Sequence, residues 1–318
     1  MSQNQNPESS SDLFKRYPQN PILTPDMWPY RINSVFNAGS ILYEGKVLLL
    51  VRVEDMRGIS HLSKAISSDG LKNWTIDTKP TLAPDENYPE EHYGIEDPRI
   101  IKLEDISIYA IAYTSFSKSG PLVSIATTED FKVYKRIGAV MPPEDKDASL
   151  FPKLFKGRWA MLHRPTPSNT AIGAHIWISF SPDLIHWGEN SILIPARKGS
   201  WWDAYKIGLG PPPIETKEGW VVIYHGVKST ASGGLYRLGL ALLDLDDPTK
   251  LIKRCDEWVF GPREMYERVG DVSNVTFPCG VILKGDELMM YYGSADTTIS
   301  VAIASMKDVM EFILNSKS

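Results

Sequence analysis

The chain has 318 residues, a formal net charge of -5, and 42% hydrophobic and 23% charged residues. That acidic balance argues against a nucleic-acid surface, which needs an excess of Lys and Arg to neutralise phosphates. The longest apolar runs, such as Val47-Leu48-Leu49-Leu50-Val51, are far too short to span a bilayer.

Residues 1–12 are rich in Ser, Asn and Gln and lack the apolar core of a secretory signal, so a disordered leader is expected ahead of one domain covering 13–318. Strand-like runs then follow in a recurring order. Residues 33–42 and the run ending Val51-Arg52-Val53-Glu54-Asp55 flank a turn at Gly45; 61–66 comes next, and Ser67-Ser68-Asp69-Gly70 turns towards a short fourth strand near Trp74. The order returns at 95–103, 108–115 and 122–126, then at 148–154, 159–164 and 175–180. It returns again at 207–214, 220–225 and 236–243, and a last time at 275–283, 288–292 and 299–304. Turns at 127–132, 181–187, 244–248 and 305–308 close these units. Five units of roughly 50 to 65 residues, each of about four strands, predict an all-β fold, a five-bladed β-propeller. A β-sandwich also suits the strand spacing, but the aligned Asp-containing turns favour blades. Only the C-terminal stretch 308–315 reads as a helix, with Val309, Phe312 and Ile313 on one face.

The second unit opens on Tyr93-Gly94-Ile95-Glu96-Asp97-Pro98-Arg99-Ile100, which sets two adjacent carboxylates between a glycine and a proline. Pro98 biases Asp97 towards extended backbone, and strand alternation is expected to send Glu96 and Asp97 to opposite sides. One can then face a cavity while neighbours hold the other, which is how a carboxyl group with an altered pKa is usually built.

In a propeller the first strand of each blade lines the central channel, so residues far apart in sequence converge at one end of it. The starts of the first strands carry Asn37, Asp97, Lys146 with Asp147, Lys206 and Asn274; the ends of the second strands carry Arg52, Thr114, Arg164, His225 and Asp296. Lys146, Arg164, Lys206 and His225 come from the third and fourth units and Asp97 from the second. Cations facing an acid suit an anion and a leaving group that needs a proton. No Gly-rich phosphate loop with Lys and Ser or Thr is present, nor a Gly-x-Ser-x-Gly elbow. His61, His163, His175, His186 and His225 lack zinc-like spacing, so no metal is expected. The two cysteines, Cys255 and Cys279, are too few for a disulfide framework and are expected as reduced core residues of a cytoplasmic protein. Trp201, Trp202, Tyr88, His92, Tyr93 and Tyr236 are aromatic candidates for packing against a sugar ring.

Several segments together resemble the phosphorylases of glycoside hydrolase family 130, which act on β-mannosides and are five-bladed propellers. They are Phe36-Asn37-Ala38-Gly39, Gly94-Ile95-Glu96-Asp97-Pro98-Arg99, Leu162-His163-Arg164-Pro165, Trp201-Trp202 with Lys206-Ile207-Gly208, Ile223-Tyr224-His225-Gly226-Val227, Leu242-Leu243-Asp244-Leu245-Asp246-Asp247-Pro248 and Tyr292-Gly293-Ser294-Ala295-Asp296-Thr297. The likeness runs from Asn20-Pro21-Ile22-Leu23 to the C-terminal helix. It implies that Asp97 is the single general acid, acting through the mannose 3-hydroxyl. It also implies that Arg164, Lys206, His225, Tyr236 and Lys146 bind phosphate. Lys146 departs from the arginine common in the family and loses that residue's bidentate fork. Asn37, Arg52 and Asp296 are implied to hold the mannosyl ring. The implied reaction is reversible, inverting phosphorolysis of a β-mannoside to α-mannose 1-phosphate, with inorganic phosphate as co-substrate and no cofactor.

An inverting hydrolase needs a second carboxylate to activate water, whereas phosphate arrives already anionic. Relatives that hydrolyse β-mannosides are implied to lack the basic set. A hydrolase using Glu96, Asp55 or Asp147, and a non-catalytic carbohydrate-binding propeller, stay open as alternatives. The resemblance leaves open β-1,4-linked mannosyl-glucose, mannosyl-N-acetylglucosamine or mannooligosaccharides and β-1,2-linked mannosides as substrates, since linkage and leaving-side sugar are not encoded in any motif, though 55–60 and 166–173 would shape that side. Oligomeric state is likewise open, a homo-oligomer included.

Overall fold

Apolar residues alternate in register along each central strand, and both faces of the resulting sheets are apolar, so every sheet must be covered on two sides. The computed structural model describes residues 13–167, 173–231 and 233–317. The expected leader at 1–12, and 168–172 of one expected leaving-side loop, lie outside the described residues.

A short N-terminal strand β1 (Lys15–Arg16) precedes blade I, which comprises β2 (Ser34–Tyr43), β3 (Lys46–Glu54), β4 (Ser60–Ser67) and β5 (Thr75–Ile76). Blade II comprises β6 (Ile95–Leu103), β7 (Ile108–Ser117), β8 (Gly120–Thr128) and β9 (Lys135–Ala139). Blade III comprises β10 (Asp145–Leu150), β11 (Trp159–Pro165), β12 (Ile176–Ser181) and β13 (Gly188–Ile194). Blade IV contains β14 (Lys206–Leu209), β15 (Ile214–Glu215), β16 (Trp220–Thr230), β17 (Gly233–Leu243) and β18 (Leu251–Arg254). Blade V contains β19 (Thr276–Lys284), β20 (Glu287–Ser294) and β21 (Thr298–Ser305), with β1 as its outer strand. The five-bladed propeller is therefore the observed fold, and the sandwich alternative falls, because the strands form separate sheets and not two facing ones.

The core lies between neighbouring blades. Val47, Leu49, Val51 and Val53 on β3 face Met289, Tyr291 and Val301 of blade V. The intervening Leu48 and Leu50 face Ile100, Ile111 and Tyr113 of blade II. Period-two alternation thus delivers one strand to two cores, and the run reads as continuously apolar for that reason.

Differences from the sequence expectations have local causes. The first strand of blade IV ends at Leu209, with one last bond from the Gly210 N–H to the Ile223 carbonyl at 3.0 Å, because Pro211-Pro212-Pro213 cannot donate to the ladder, and strand pairing resumes at Ile214. The missing fourth strand of blade V comes from the N-terminus, as β1 pairs with β21 and closes the ring. The C-terminal helix α2 (Met306–Asn315) begins earlier than expected, capped by the Ser305 side chain accepting from the Asp308 amide. It is not the only helix: a single turn, α1 (Met265–Arg268), carries a capping box between Glu264 and Glu267.

Ring closure rests on more than two residues of ladder. Arg16 Nε and Nη2 donate to Glu267 Oε1 and Oε2 at 2.7 and 2.8 Å, and Nη2 also donates to the Gly261 carbonyl at 2.6 Å. Glu267 is fully buried and accepts from Tyr292 Oη at 2.7 Å as well. Arg16→Ala would strand that carboxylate, so thermal or urea unfolding should show a loss of about 3–5 kcal/mol, whereas Lys15→Ala should be close to neutral.

Candidate active site

Three of the five inner strands carry a β-bulge at the same level. In β2 the register jumps between Phe36 and Gly39, in β6 between Glu96 and Arg99, and in β10 between Lys146 and Ser149. The first extra residue in each is Asn37, Asp97 or Asp147, with φ of 49°, 52° and 54°. Asn and Asp tolerate this left-handed region better than other non-glycine residues, which explains the short polar side chain at each bulge. The extended conformation expected for Asp97 is therefore wrong, the bulge having overridden the bias of Pro98. The expected divergence of Glu96 and Asp97 fails with it. Both reach Arg52, at 3.1 Å from Glu96 Oε1 and 3.0 Å from Asp97 Oδ1.

The pocket at the end of the channel has a volume of about 160 Å³. Its lining contains Asp97, Lys146, Arg164, Lys206, His225, Tyr236, Asn37, Arg52 and Asp296, so all nine proposed site residues meet, together with Asp147 and Phe277. Thr114 and Asn274, expected in the same ring, do not line it. Blades III and IV supply Lys146, Arg164, Lys206, His225 and Tyr236 on one side; blades I, II and V supply Asn37, Arg52, Asp97 and Asp296 on the other.

On the first side Asp147 Oδ2 accepts from Arg164 Nε at 2.7 Å and lies 3.6 Å from His225 Nε2. Gly208 makes this approach feasible: a side chain there would collide with Asp147 and His225. Burial pushes the His225 pKa down to about 3; Asp147 opposes this, while Arg164 and Lys206 add to it, so the imidazole is neutral. Burial, reinforced by Arg164, also lowers Lys206. Asp147 falls well below the usual carboxylate range: burial alone would raise it, but the charges of Arg164 and Arg99 outweigh that.

On the other side Asn37 Nδ2 and Arg52 Nη1 donate to Asp97 Oδ1 at 2.9 and 3.0 Å. Burial would raise Asp97, yet Arg52, Asn37 and Lys146 together hold it below its ordinary value. Asp296 goes the other way, its burial near Asp97 lifting it to about 7 despite Arg52. Four basic side chains, Arg52, Lys146, Arg164 and Lys206, thus face two carboxylates held below their ordinary range and one that is half-protonated near neutral pH. Four polar atoms of this lining, Asn37 Oδ1, Asp147 Oδ1, His225 Nδ1 and Asp296 Oδ1, are buried with no hydrogen-bond partner among the described residues. Buried orphans concentrated in one pocket are hydrogen-bonding capacity held for a ligand.

Other expected participants lie elsewhere. Trp202 is buried and stacks on Tyr224 at 5.6 Å, making it core, and Trp201 lines a different cavity. Tyr88, His92 and Tyr93 are outside the pocket. Asp55 is held by Arg57 and lines a neighbouring cavity. Ser179, His163 and Asp145 form a chain of short contacts, 2.7 and 2.6 Å, that looks like a nucleophilic triad. All three are buried, and Asp145 Oδ1 accepts from the Arg164 amide at 3.1 Å, so the chain braces the strand behind the pocket. The lining residues missed from sequence are Val272, Val275 and Phe277, and the Phe277 ring lies 4.7 Å from that of His225. Alternation along β19 was the available signal for Phe277.

Because the native Asp296 carboxyl keeps its proton up to about pH 7 while an unfolded Asp releases it near pH 4, it stabilises the fold fully only below about pH 4. That contribution is lost as pH rises to about 7 and stays lost above it. Asp296→Asn, which cannot ionise, should therefore gain thermal stability relative to the native chain between about pH 4 and pH 7, then level off. A difference in melting temperature independent of pH would refute this.

The family model described as β-1,4-mannooligosaccharide phosphorylase, of glycoside hydrolase family 130, matches residues 11–315. A β-1,4-mannooligosaccharide phosphorylase of Ruminococcus albus is 34% identical, covering 98% of this chain and 94% of that protein. A 1,2-β-oligomannan phosphorylase of Thermoanaerobacter sp. is 37% identical, covering 93% and 98%. The structure of β-1,2-mannobiose phosphorylase from Listeria innocua in complex with β-1,2-mannobiose superposes with a TM-score of 0.86 at 30% identity, covering 95% of this chain and 99% of that one.

Proposed function

The chain belongs to glycoside hydrolase family 130, and from that premise we propose how its pocket carries out phosphorolysis of β-mannosides. The observation that carries the proposal is the division of one small pocket into a cationic half and a half built around Asp97. Phosphate occupies the first half, bound by Lys146, Arg164 and Lys206, with His225 and Tyr236 completing the contacts. The mannosyl ring occupies the second, held by Asn37, Arg52 and Asp296. Phosphate attacks the anomeric carbon from the face opposite the departing sugar, and Asp97 supplies the proton through the 3-hydroxyl of the ring. The bond broken joins the anomeric carbon to the bridging oxygen; the bond formed joins that carbon to a phosphate oxygen, giving α-mannose 1-phosphate.

In the resting pocket Asp97 is held ionised, partly by Lys146. Phosphate neutralises Lys146 and its neighbours and brings negative charge to the far side, so its arrival raises the Asp97 pKa towards that of a working acid. A hydrolase reading finds no free base among the candidates. Asp147 is locked to Arg164, Glu96 is paired with Arg52, and Asp55 is tied to Arg57 outside the pocket. Phosphate needs no base and no metal to become nucleophilic, so a chelator should leave turnover intact. Cys255 and Cys279 are buried free thiols, which supports the cytoplasmic setting read from the sequence. No helix among the described residues is long and apolar enough to cross a membrane.

Incubated with a β-mannoside, the protein should release sugar only when inorganic phosphate is present, with α-mannose 1-phosphate as the first product by phosphorus NMR. Free mannose appearing equally fast without phosphate would reject the reading. Asp97→Asn should lower phosphorolysis by about 10²- to 10⁴-fold, and Arg164→Ala or Lys206→Ala should raise the KM for phosphate more than that for the mannoside.

A further inference from the structure

The pocket of about 160 Å³ is below the several hundred Å³ that enclose a drug-sized ligand, so it takes phosphate and little more than one sugar ring. The remainder of any longer substrate must lie outside it, on the face where the strand-to-strand loops around Asp97 emerge. Resting on the proposed phosphorolysis, we propose that Tyr93 and Phe116, flanked by His92, form a distal subsite for the leaving-side residues of a β-mannooligosaccharide, making this a chain-length-selective enzyme.

The platform is fixed by the backbone. Past the Ile95–Ser115 pair, the β6–β7 ladder continues through two further bonds, Phe116 N–H to the Gly94 carbonyl at 3.0 Å and Tyr93 N–H to the Phe116 carbonyl at 2.8 Å. The Tyr93 and Phe116 ring centroids are 6.0 Å apart, and His92 lies edge-on to Tyr93 at 4.9 Å. Despite this order both rings are exposed, 37% for Tyr93 and 38% for Phe116. Core packing therefore does not account for them, and two rigid aromatic faces lose little entropy when a sugar ring stacks on them. Tyr93 precedes Asp97 by only four residues, which span about 13 Å at most and less across the turn at Gly94 and the bulge at Asp97, so the platform stands one or two sugar rings from the bond being broken.

Two hollows adjoin the platform through His92. His92 lines both a cavity of about 650 Å³, with Tyr88, Ser117 and Lys118, and another of about 420 Å³, with Tyr30 and Arg31. Both have the size and mixed aromatic and polar lining of a carbohydrate site, and both belong to blades I and II, the side that carries Asp97. The Gly94 backbone is packed so closely on Ser60 that this wall is rigid as well, which suits recognition without rearrangement.

The test compares β-mannobiose with β-mannotetraose, each as the 1,4- and the 1,2-linked series. With the native enzyme kcat/KM should be higher for the tetraose in the preferred series, and in the Tyr93→Ala, Phe116→Ala double variant the tetraose-to-biose ratio should fall about tenfold. Ile185→Ala, an exposed apolar truncation on the opposite face, should leave the ratio alone. A native enzyme indifferent to length, or a ratio that survives the double variant, would overturn the subsite. Binding decides the same point without turnover: calorimetric titration of Asp97→Asn with the tetraose should give about tenfold tighter binding than the triple variant that also lacks both rings. Equal affinities overturn the subsite even where phosphate-dependent release is intact, and loss of phosphate dependence with the affinity difference retained indicts the reaction assignment alone.

Discussion

One guanidinium holds the two halves of the pocket at a fixed separation. Arg99 is almost fully buried at the centre of the propeller; its Nε and Nη2 donate to the Gly210 and Leu209 carbonyls of blade IV at 2.6 and 2.8 Å, and its Nη1 to the Asp97 carbonyl at 3.1 Å. The residue that follows the acid by two positions thus crosses the channel and grips the opposite blade. Those carbonyls are free to accept because β14 ends where the proline run begins. Neutral carbonyls satisfy donors but do not neutralise charge, and a buried guanidinium without a counter-ion is costly. Asp147 Oδ1 at 3.7 Å supplies it.

Asp147 then explains the rest of the cationic half. Its other oxygen takes Arg164 Nε, which turns the outer nitrogens of that fork away from it; one reaches Thr166 Oγ1 at 2.9 Å. An acid in an anion-binding site is unfavourable in isolation, but without it Arg99, Arg164 and Lys206 would repel one another in a buried space. The arrangement keeps the cations together while leaving a surplus of positive charge for an incoming anion, inside a chain whose net charge is -5. A local field opposite to the global one depends on burial, since salt screens exposed charges over about 10 Å.

How much of this was legible in the sequence follows the same division. Strand periodicity and recurring turns sufficed for five blades, because two-sided cores write continuous apolar runs at regular spacing. Convergence of Asp97, Arg164, Lys206 and His225 was legible once the blades were aligned, since equivalent strand positions must meet at a central channel. What alternation could not reveal was the bulge. A single extra residue reverses the facing of everything after it, so Asp97 and Glu96 came to share Arg52 where strict alternation separates them. Asn37, Asp97 and Asp147 do share one signature, a short polar residue in the left-handed region, but its meaning depends on a partner strand contributing one residue fewer. Ring closure was hidden for a related reason: β1 is two residues long, too short for any periodicity, and its partner β21 stands at the other end of the chain.

The opposed shifts of Asp97 and Asp296 give the pocket a direction. Two acids in one small volume cannot both ionise cheaply, and here Arg52 and Asn37 decide that Asp97 carries the charge and Asp296 the proton. On the proposed reading that order must reverse for catalysis, because the group that releases the leaving sugar needs the proton. Phosphate bound among Lys146, Arg164 and Lys206 weakens the pull that keeps Asp97 ionised, and linkage makes the effect mutual: whatever phosphate does to the proton affinity of Asp97, protonation of Asp97 does to the affinity for phosphate. On that reading the nucleophile and the acid are coupled through Lys146, whose long unforked side chain stands where the family resemblance implies an arginine. A point charge serves that coupling as well as a fork would, because it acts through the field and not through paired hydrogen bonds.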